Sequence, residues 1–396
     1  MRKEIGKKVW WVGKTDWELK KFHGEEYSTH KGSSYNSYLV EGESKTILID
    51  TVWKPFAKEF VDNLEKEFGL ENIDAIIQNH AEVDHSGALP ELLKRRPNLP
   101  IYCTANGVKS LTGHYHENWD FHVVKTGDKL DIGGREFVFI EAPMLHWPDS
   151  MFSYLTGDAI LFSNDAFGQH LATERLFDDE VNHDELFAEC IKYYANILTP
   201  FSPLVKKKIE QFVGLNLPLS TIATSHGVIW RKDPMSIVTK YMEWCQDYQT
   251  NQITILYDSM WDATRRIAEA ISRGITEKAP ATTVKLFKVS QADKNDVITE
   301  VFKSKAILLG SSTINRGILS SAAMIMEEIK GLAFKNKKAA SFGSYGWSGE
   351  GNTILDKLLG ESGFTLTGPG LKVLWNPNDE AIKEAEEFGK NFARGL

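Results

Sequence analysis

The stretch His80-Ala81-Glu82-Val83-Asp84-His85 constrains this chain more than any other. It follows the apolar run Asp74-Ala75-Ile76-Ile77-Gln78-Asn79 and precedes Ser86-Gly87-Ala88-Leu89-Pro90. Four metal-capable side chains fall within six residues, and imidazole and carboxylate are both good ligands for first-row transition metals. In a strand, alternation would put His80, Glu82 and Asp84 on one face. In a loop at a strand end they would instead converge on a point. The plain alternative is a polar loop opening a helix capped by Ser86.

Such a stretch needs partners from other strand ends, where α/β folds gather their sites. Three positions qualify. His146 lies in Leu145-His146-Trp147-Pro148, past an apolar strand and before a proline that turns Trp147 away from helix. Asp165 lies in Ser163-Asn164-Asp165-Ala166, and His226 in Thr224-Ser225-His226-Gly227, each again past an apolar run. Singly, each reads as a satisfied structural residue. Jointly, four histidines and three carboxylates at four strand ends point to two metal ions.

The rest of the chain agrees with a metal enzyme and narrows its setting. Its 396 residues suit two domains, and the net charge of −8 argues against a nucleic-acid partner. No apolar run is long enough to span a bilayer, and the N-terminus has no signal-peptide core, which reads as cytoplasmic. The three cysteines, Cys103, Cys190 and Cys245, form no Cys-x-x-Cys pair. A thiolate metal centre and a disulfide framework are therefore not expected. Residues 1–250 mix short strands with helices at 56–68, 183–198, 202–213 and 234–247, which suggests an α/β sandwich. Beyond a polar connector, residues 251–396 alternate cleanly, with strands at 253–258, 282–289, 306–311, 338–343 and 370–375 separated by helices. That alternation predicts a doubly wound parallel sheet of flavodoxin type.

The second half carries its own site. After the strand at 253–258 comes Ser259-Met260-Trp261-Asp262-Ala263-Thr264, a hydroxyl-bearing loop opening a helix. Backbone N–H groups and the helix dipole favour a phosphate there. Two further loops, Ser311-Ser312-Thr313-Ile314-Asn315-Arg316-Gly317 and Gly343-Ser344-Tyr345-Gly346-Trp347-Ser348-Gly349-Glu350, follow the third and fourth strands. In a flavodoxin-like sheet the three meet at one end, where FMN binds. Tyr345 and Trp347 can pack on the isoalloxazine, and the flanking Gly346 and Gly349 suit a backbone close to a flat ring. No Gly-x-Gly-x-x-Gly follows a strand, which argues against direct NAD(P)H binding.

At this point the sequence resembles the metallo-β-lactamase superfamily, which usually carries His-x-His-x-Asp-His. Here Glu82 replaces the second histidine, and that is the pattern of the flavodiiron proteins. A carboxylate hardens the site and adds negative charge, which favours iron over zinc. The resemblance implies an N-terminal metallo-β-lactamase-like αββα sandwich holding a non-haem diiron centre and a C-terminal flavodoxin-like domain holding FMN. It implies that His80, Glu82 and His146 bind one iron, that Asp84 and His226 bind the other, and that Asp165 bridges them. His85 stays open, because its counterpart turns away in some members. His170, Tyr194 and Tyr27 are candidates to line the pocket and supply protons.

The implied activity is reduction of O2 to water, of NO to N2O, or both. Electrons pass through FMN from an external donor, rubredoxin or, in methanogen relatives, a reduced deazaflavin. A head-to-tail homodimer, alone or doubled into a tetramer, is the implied assembly. Two readings compete with this one: a zinc hydrolase with a fused flavodoxin module, using metal-bound hydroxide, and an electron carrier whose metal residues are structural.

Overall fold

The computed structural model describes residues 2–396. They form two compact units. The first comprises the chain up to Tyr193 together with Phe201–Glu243, and the second comprises Tyr194–Pro200 with Trp244–Leu396. The boundary therefore lies a few residues before the expected 250, and a short segment of the first half joins the second unit. The helix expected over 183–198 is α-helical only over His183–Tyr193 and continues as a π-helical turn over Tyr194–Leu198. Tyr194 of that turn packs on Trp244 and Phe302, with ring centroids 5.6 and 5.7 Å apart. Asn196 donates to the Asn295 carbonyl at 3.1 Å, which anchors the turn in the second unit.

The first unit is a sandwich of two sheets. One has seven strands, in the spatial order Lys3–Gly6, Val9–Trp11, Tyr38–Glu41, Thr46–Ile49, Ala75–Ile77, Ile101–Cys103 and Phe121–Val123. The other has five, Lys129–Asp131, Glu136–Glu141, Met151–Leu155, Ile160–Asn164 and Thr221–Thr224. Alternating apolar residues from both inner faces interlock as one core: Val40, Ile47, Ile49 and Ile77 from the first sheet, and Phe137, Phe139, Leu155 and Phe162 from the second. Helices such as Ala57–Phe68 and Ser202–Gly214 bury Phe60, Val61 and Leu64, or Val205, Ile209 and Phe212, at helical spacing. Two nested antiparallel strand pairs too short to show a period, Lys14–Asp16 with Ser33–Tyr35 and, between them in the chain, the hairpin Lys21–Phe22 with Tyr27–Ser28, complete the unit.

The second unit is an all-parallel sheet in the order Thr283–Lys288, Thr250–Tyr257, Ser304–Ser312, Lys338–Tyr345, Leu371–Leu374, that is 2-1-3-4-5. This is the flavodoxin order, with its switch point between the first and third strands. A two-residue strand, Thr365–Leu366, pairs with the start of Lys338–Tyr345. The helices Ala263–Lys278 and Asp379–Arg394 cover one face over a core that includes Ile253, Ile255, Leu308 and Phe342. They meet backbone to backbone. A Cβ on Gly274 would lie 1.9 Å from the Glu386 carbonyl oxygen, and one on Gly389 would lie 2.3 Å from that of Ile271.

Neither helix can yield without losing the apolar contacts around the crossing. Gly389→Ala is expected to destabilise the second unit by about 1–3 kcal/mol, the usual cost of overpacking. Denaturant unfolding followed by tryptophan fluorescence checks it; an unchanged midpoint would contradict the close approach.

Candidate metal centre and cofactor cavity

The metal-capable residues lie at strand ends of the first unit. The loop 80–85 follows the strand Ala75–Ile77, His146 follows Glu136–Glu141, Asp165 follows Ile160–Asn164 and His226 follows Thr221–Thr224. His80–Glu82 is not a strand; a short helical turn, Val83–Ser86, follows it. A side-chain amide grips both ends of this loop. Gln78 Nε2 donates to the carbonyls of His80 (2.7 Å) and His85 (3.0 Å) and to Asp50 Oδ1 (2.9 Å). Thr51 Oγ1 also donates to the His85 carbonyl at 2.8 Å. The loop is therefore fixed before any metal arrives.

Seven side chains converge in two groups. His80, Glu82, His146 and Asp165 form one, Asp84, His85 and His226 the other, and within each the ligand atoms lie within 4.8 Å of one another. Asp165 faces both. Its Oδ2 is 3.2 Å from His146 Nε2 and 3.6 Å from His80 Nε2, while its Oδ1 is 2.9 Å from His85 Nε2 and 3.4 Å from His226 Nε2. His85 turns inward, its Nε2 also 3.2 Å from Asp84. All four imidazoles thus present Nε2 to the centre. Two of them are held by Nδ1, His80 by donation to Asp149 Oδ2 (2.8 Å) and His226 by donation to the Ser34 carbonyl (2.7 Å).

The chemistry of this donor set fits two cations. Both carboxylate oxygens of Asp84 and of Asp165, and both ring nitrogens of His85, are buried with no hydrogen-bond partner. Their mutual approaches are ion-pair contacts off the hydrogen-bond direction. Three buried carboxylates, two of them with both oxygens orphaned, are costly unless cations compensate them. Protons occupy the site when metal does not. Burial opposes a charged His85, but Asp84 and Asp165 outweigh it and push its pKa up to about 9. At His146 burial is likewise outweighed, by Asp165 and Glu82, and the value again rises to about 9. Burial disfavours a charged Asp165 too, yet His85 and His146 hold its carboxyl well below the usual range.

Several neighbours of the centre escaped sequence reasoning. His23 Nε2 lies 3.1 Å from Glu82 Oε1, placed by the hairpin Lys21–Phe22/Tyr27–Ser28. Asp149, which orients His80, also accepts from the Ala81 N–H at 2.7 Å. His170 does sit beside the centre, its ring 4.7 Å from that of His226, with Nδ1 bonded to Ser33 Oγ at 2.8 Å. Burial first, then His226 and His23, push its pKa well down. Tyr27 and Tyr193 face it at 5.0 and 5.5 Å. Tyr194 does not: one residue further along the helix it points into the second unit.

The second unit has a cavity of about 410 Å³ at the C-terminal ends of its strands. Met260, Trp261, Ala263, Thr313, Ser344, Tyr345, Gly346 and Trp347 line it, and Ile314 and Asn315 line an adjoining pocket of about 210 Å³. The hydroxyls of Thr264, Ser312 and Ser344 form a buried triangle at 2.9–3.3 Å. Ser259 Oγ nearby is buried without a partner. Ser311 is turned into structure, donating to the Ser312 carbonyl and accepting from the Leu319 N–H. Gly349 caps the following helix with φ 71° against the Tyr345 ring. Ser312, from the second expected loop, also lines it, and Trp375 and Asn376 join the lining without having been expected. Exposed indoles beside hydroxyls and a helix start suit a flat ring joined to a phosphate.

A metal centre in one unit and a flavin cradle in the other define a flavin- and metal-dependent oxidoreductase. Comparisons give the family. Residues 30–212 match the metallo-beta-lactamase superfamily and residues 255–389 match flavodoxin. The chain is 54% identical over 388 residues to the anaerobic nitric oxide reductase flavorubredoxin of Aeromonas hydrophila, covering 98% of this chain and 78% of that one. Among solved structures, the rubredoxin oxygen:oxidoreductase of Desulfovibrio gigas superposes with a TM-score of 0.95 at 35% identity, covering 100% of this chain and 98% of that one. The flavodiiron protein of Giardia intestinalis does so with a TM-score of 0.94 at 32% identity, covering 100% and 96%. The chain belongs to the flavodiiron family, oxidoreductases that carry a non-haem diiron pair and FMN.

Two outcomes follow for metal binding. Asp149→Ala is expected to weaken iron binding by about 10–100-fold, since it frees the His80 ring; competition with a chelator measures it. Because His85 and His146 are protonated up to about pH 9 in the metal-free protein, metal must displace protons. Affinity should therefore rise with pH towards that value, with proton release on binding. A pH-independent affinity would contradict the charge arrangement.

Proposed function

We propose that this protein is a nitric oxide reductase, joining two NO into N2O at its diiron centre with electrons delivered through FMN. The observation that carries this reading is the 54% identity, over 98% of the chain, to a protein named as an anaerobic nitric oxide reductase flavorubredoxin. Full reduction of O2 to water is the second reading, supported by the likeness to a rubredoxin oxygen:oxidoreductase at 35% identity.

In this reading His80, Glu82 and His146 would hold one iron and Asp84, His85 and His226 the other, with Asp165 facing both. Bound iron supplies the electrons and the Lewis acidity that a small diatomic needs. The chain's own residues supply the rest. Gln78 and Asp149 fix the ligand loop, and the carboxylates hold positive charge in a buried place. Neutral His170, with Tyr27 and Tyr193 around it, forms the wall where protons are handed over. In the second unit, Thr264, Ser312 and Ser344 receive the FMN phosphate end, and Tyr345 and Trp347 flank its ring.

The 396 residues contain no Cys-x-x-Cys of the rubredoxin type. Electrons then enter from a donor outside this sequence, rubredoxin in preference to a deazaflavin, because a structural relative is named for rubredoxin. A head-to-tail homodimer is the proposed assembly, bringing the FMN of one subunit to the irons of another. The cytoplasm is the proposed compartment, consistent with three buried cysteine thiols.

The test is anaerobic reduction of the iron- and FMN-loaded protein, then separate pulses of NO and O2 with products measured. N2O formed faster than O2 is consumed is the expected result; rapid O2 consumption with slow NO loss would support the second reading. Glu82→Ala and His146→Ala are expected to retain FMN and lose consumption of both gases. Full consumption in either variant would sink the diiron assignment.

A further inference from the structure

Asp165 stands on a turn that its own residues disfavour. The turn follows the strand Ile160–Asn164 and is closed by the Gly168 N–H, which donates to the Asp165 carbonyl at 3.0 Å. Phe167, at the third position, has φ 70°, and Asn164, just before Asp165, has φ 53°. The left-handed region at the third position of a turn belongs to glycine or asparagine. A bulky side chain persists there only where its surroundings over-determine it. Three buried side chains do so here. Ser163 Oγ donates to the Ala166 carbonyl at 2.7 Å, and Tyr241 Oη accepts from the Phe167 N–H at 3.0 Å. The peptide between Ala166 and Phe167 is therefore held at its oxygen and at its nitrogen. Trp230 Nε1 donates to the Phe167 carbonyl at 2.9 Å and holds the next peptide. Tyr241 comes from the helix Pro234–Trp244, and Trp230 pairs with Ile222 in the strand that ends just before His226.

The Asp165 side chain needs such support. His80 and His226 are aimed by hydrogen bonds from their own rings, to Asp149 and to the Ser34 carbonyl. Asp165 lacks them: both its carboxylate oxygens are buried without a hydrogen-bond partner. Its aim therefore comes from the backbone beneath it, which brings Oδ1 to 2.9 Å from His85 Nε2 and Oδ2 to 3.2 Å from His146 Nε2. A glycine at position 167 would fit the turn and leave it free to flex. A ring seated in the core against Tyr241, with 4.8 Å between centroids, and three hydrogen bonds leave it one conformation. A carboxylate shared by two cations needs that rigidity, because a small tilt carries it away from one of them.

We propose that Tyr241, Trp230 and Ser163 are positioning residues of the metal centre, which aim the Asp165 carboxylate at both ligand groups by fixing the turn it stands on. The inference rests on the reading of Asp165 as the shared ligand. The three act through the backbone of residues 166 and 167 and not on the ligand atoms. Their loss loosens the link between the two metal positions before it unfolds the unit.

The test uses full-length protein loaded with iron and FMN. Tyr241→Phe keeps the ring and removes the acceptor, and Trp230→Phe keeps an aromatic ring and removes the donor. Leu64→Ala, at a buried position of the helix Ala57–Phe68, is the control for lost stability alone. Iron affinity is measured by competition with a chelator, the coupling of the two irons by electron paramagnetic resonance of half-reduced protein, and stability by denaturant unfolding. The Tyr241 and Trp230 variants are expected to keep FMN, to bind iron about 10–100-fold more weakly, and to show a spin-coupled signal that is weaker or split into several species. Leu64→Ala should unfold earlier and keep the iron affinity and the signal. Unchanged affinity and signal in Tyr241→Phe and Trp230→Phe, or an equal loss in Leu64→Ala, would overturn the proposal. Should both aromatic variants fail to fold, Ser163→Ala, which removes one hydroxyl from the same peptide, decides by the same readouts. Asp165→Ala separates the two levels. If it keeps iron affinity and the coupled signal, the shared-ligand reading fails; if it loses both while the Tyr241 and Trp230 variants keep them, only the positioning fails.

Discussion

The structure of the first unit depends on one carboxylate. Asp165 turns an oxygen to each of two ligand groups, and both oxygens are buried without a hydrogen-bond donor. Such a group is unfavourable in a dry interior on its own. Its position makes sense as the shared ligand of two cations, and every neighbouring feature can be read from that need. Asp84 and Glu82 add negative charge, one in each group. Four imidazoles present the same nitrogen to the space between the carboxylates. The loop carrying four of the seven ligands is tied at both ends by Gln78, so that the charges are held apart by covalent and hydrogen-bonded structure rather than by metal alone.

That arrangement links fold to chemistry. The sandwich brings the ends of strands from two sheets together, and irregular backbone beyond each end carries the ligands. The second unit uses the same device differently: parallel strands end in loops whose hydroxyls and aromatic side chains line one cavity, of a kind that suits a phosphate and a flat ring. Glu82 separates this site from a zinc hydrolase. A harder, more anionic ligand set favours a metal that cycles through a trivalent state, and a flavin cradle in the same chain gives that cycle a source of electrons.

Much of this was legible in the sequence, for physical reasons. Ligand residues at strand ends stand out because histidines and carboxylates rarely follow apolar runs in clusters. The second unit was readable to within a few residues because helices and buried parallel strands give strong periods; the strand expected at 370–375 is Leu371–Leu374. What escaped has causes too. The hairpin that delivers His23 and Tyr27 has two-residue strands, too short for any period. Tyr193, not Tyr194, faces His170, because one residue turns a helix by about 100°, and a π-helical turn beginning at Tyr194 carries that ring into the other unit. Asp149 acts through the His80 ring, and such a role leaves no mark in a single sequence. Trp375 reaches the cavity with φ 59°, a backbone choice that its residue type disfavours.

One buried carboxylate, Asp165, is placed to join two iron ions. Iron analysis combined with electron paramagnetic resonance of half-reduced, iron-loaded protein is the most direct test. Two iron ions per chain are expected, one for each group of side chains, with a spin-coupled mixed-valence signal that Asp165→Ala abolishes. Zinc in place of iron, or isolated uncoupled ferric ions, would contradict it.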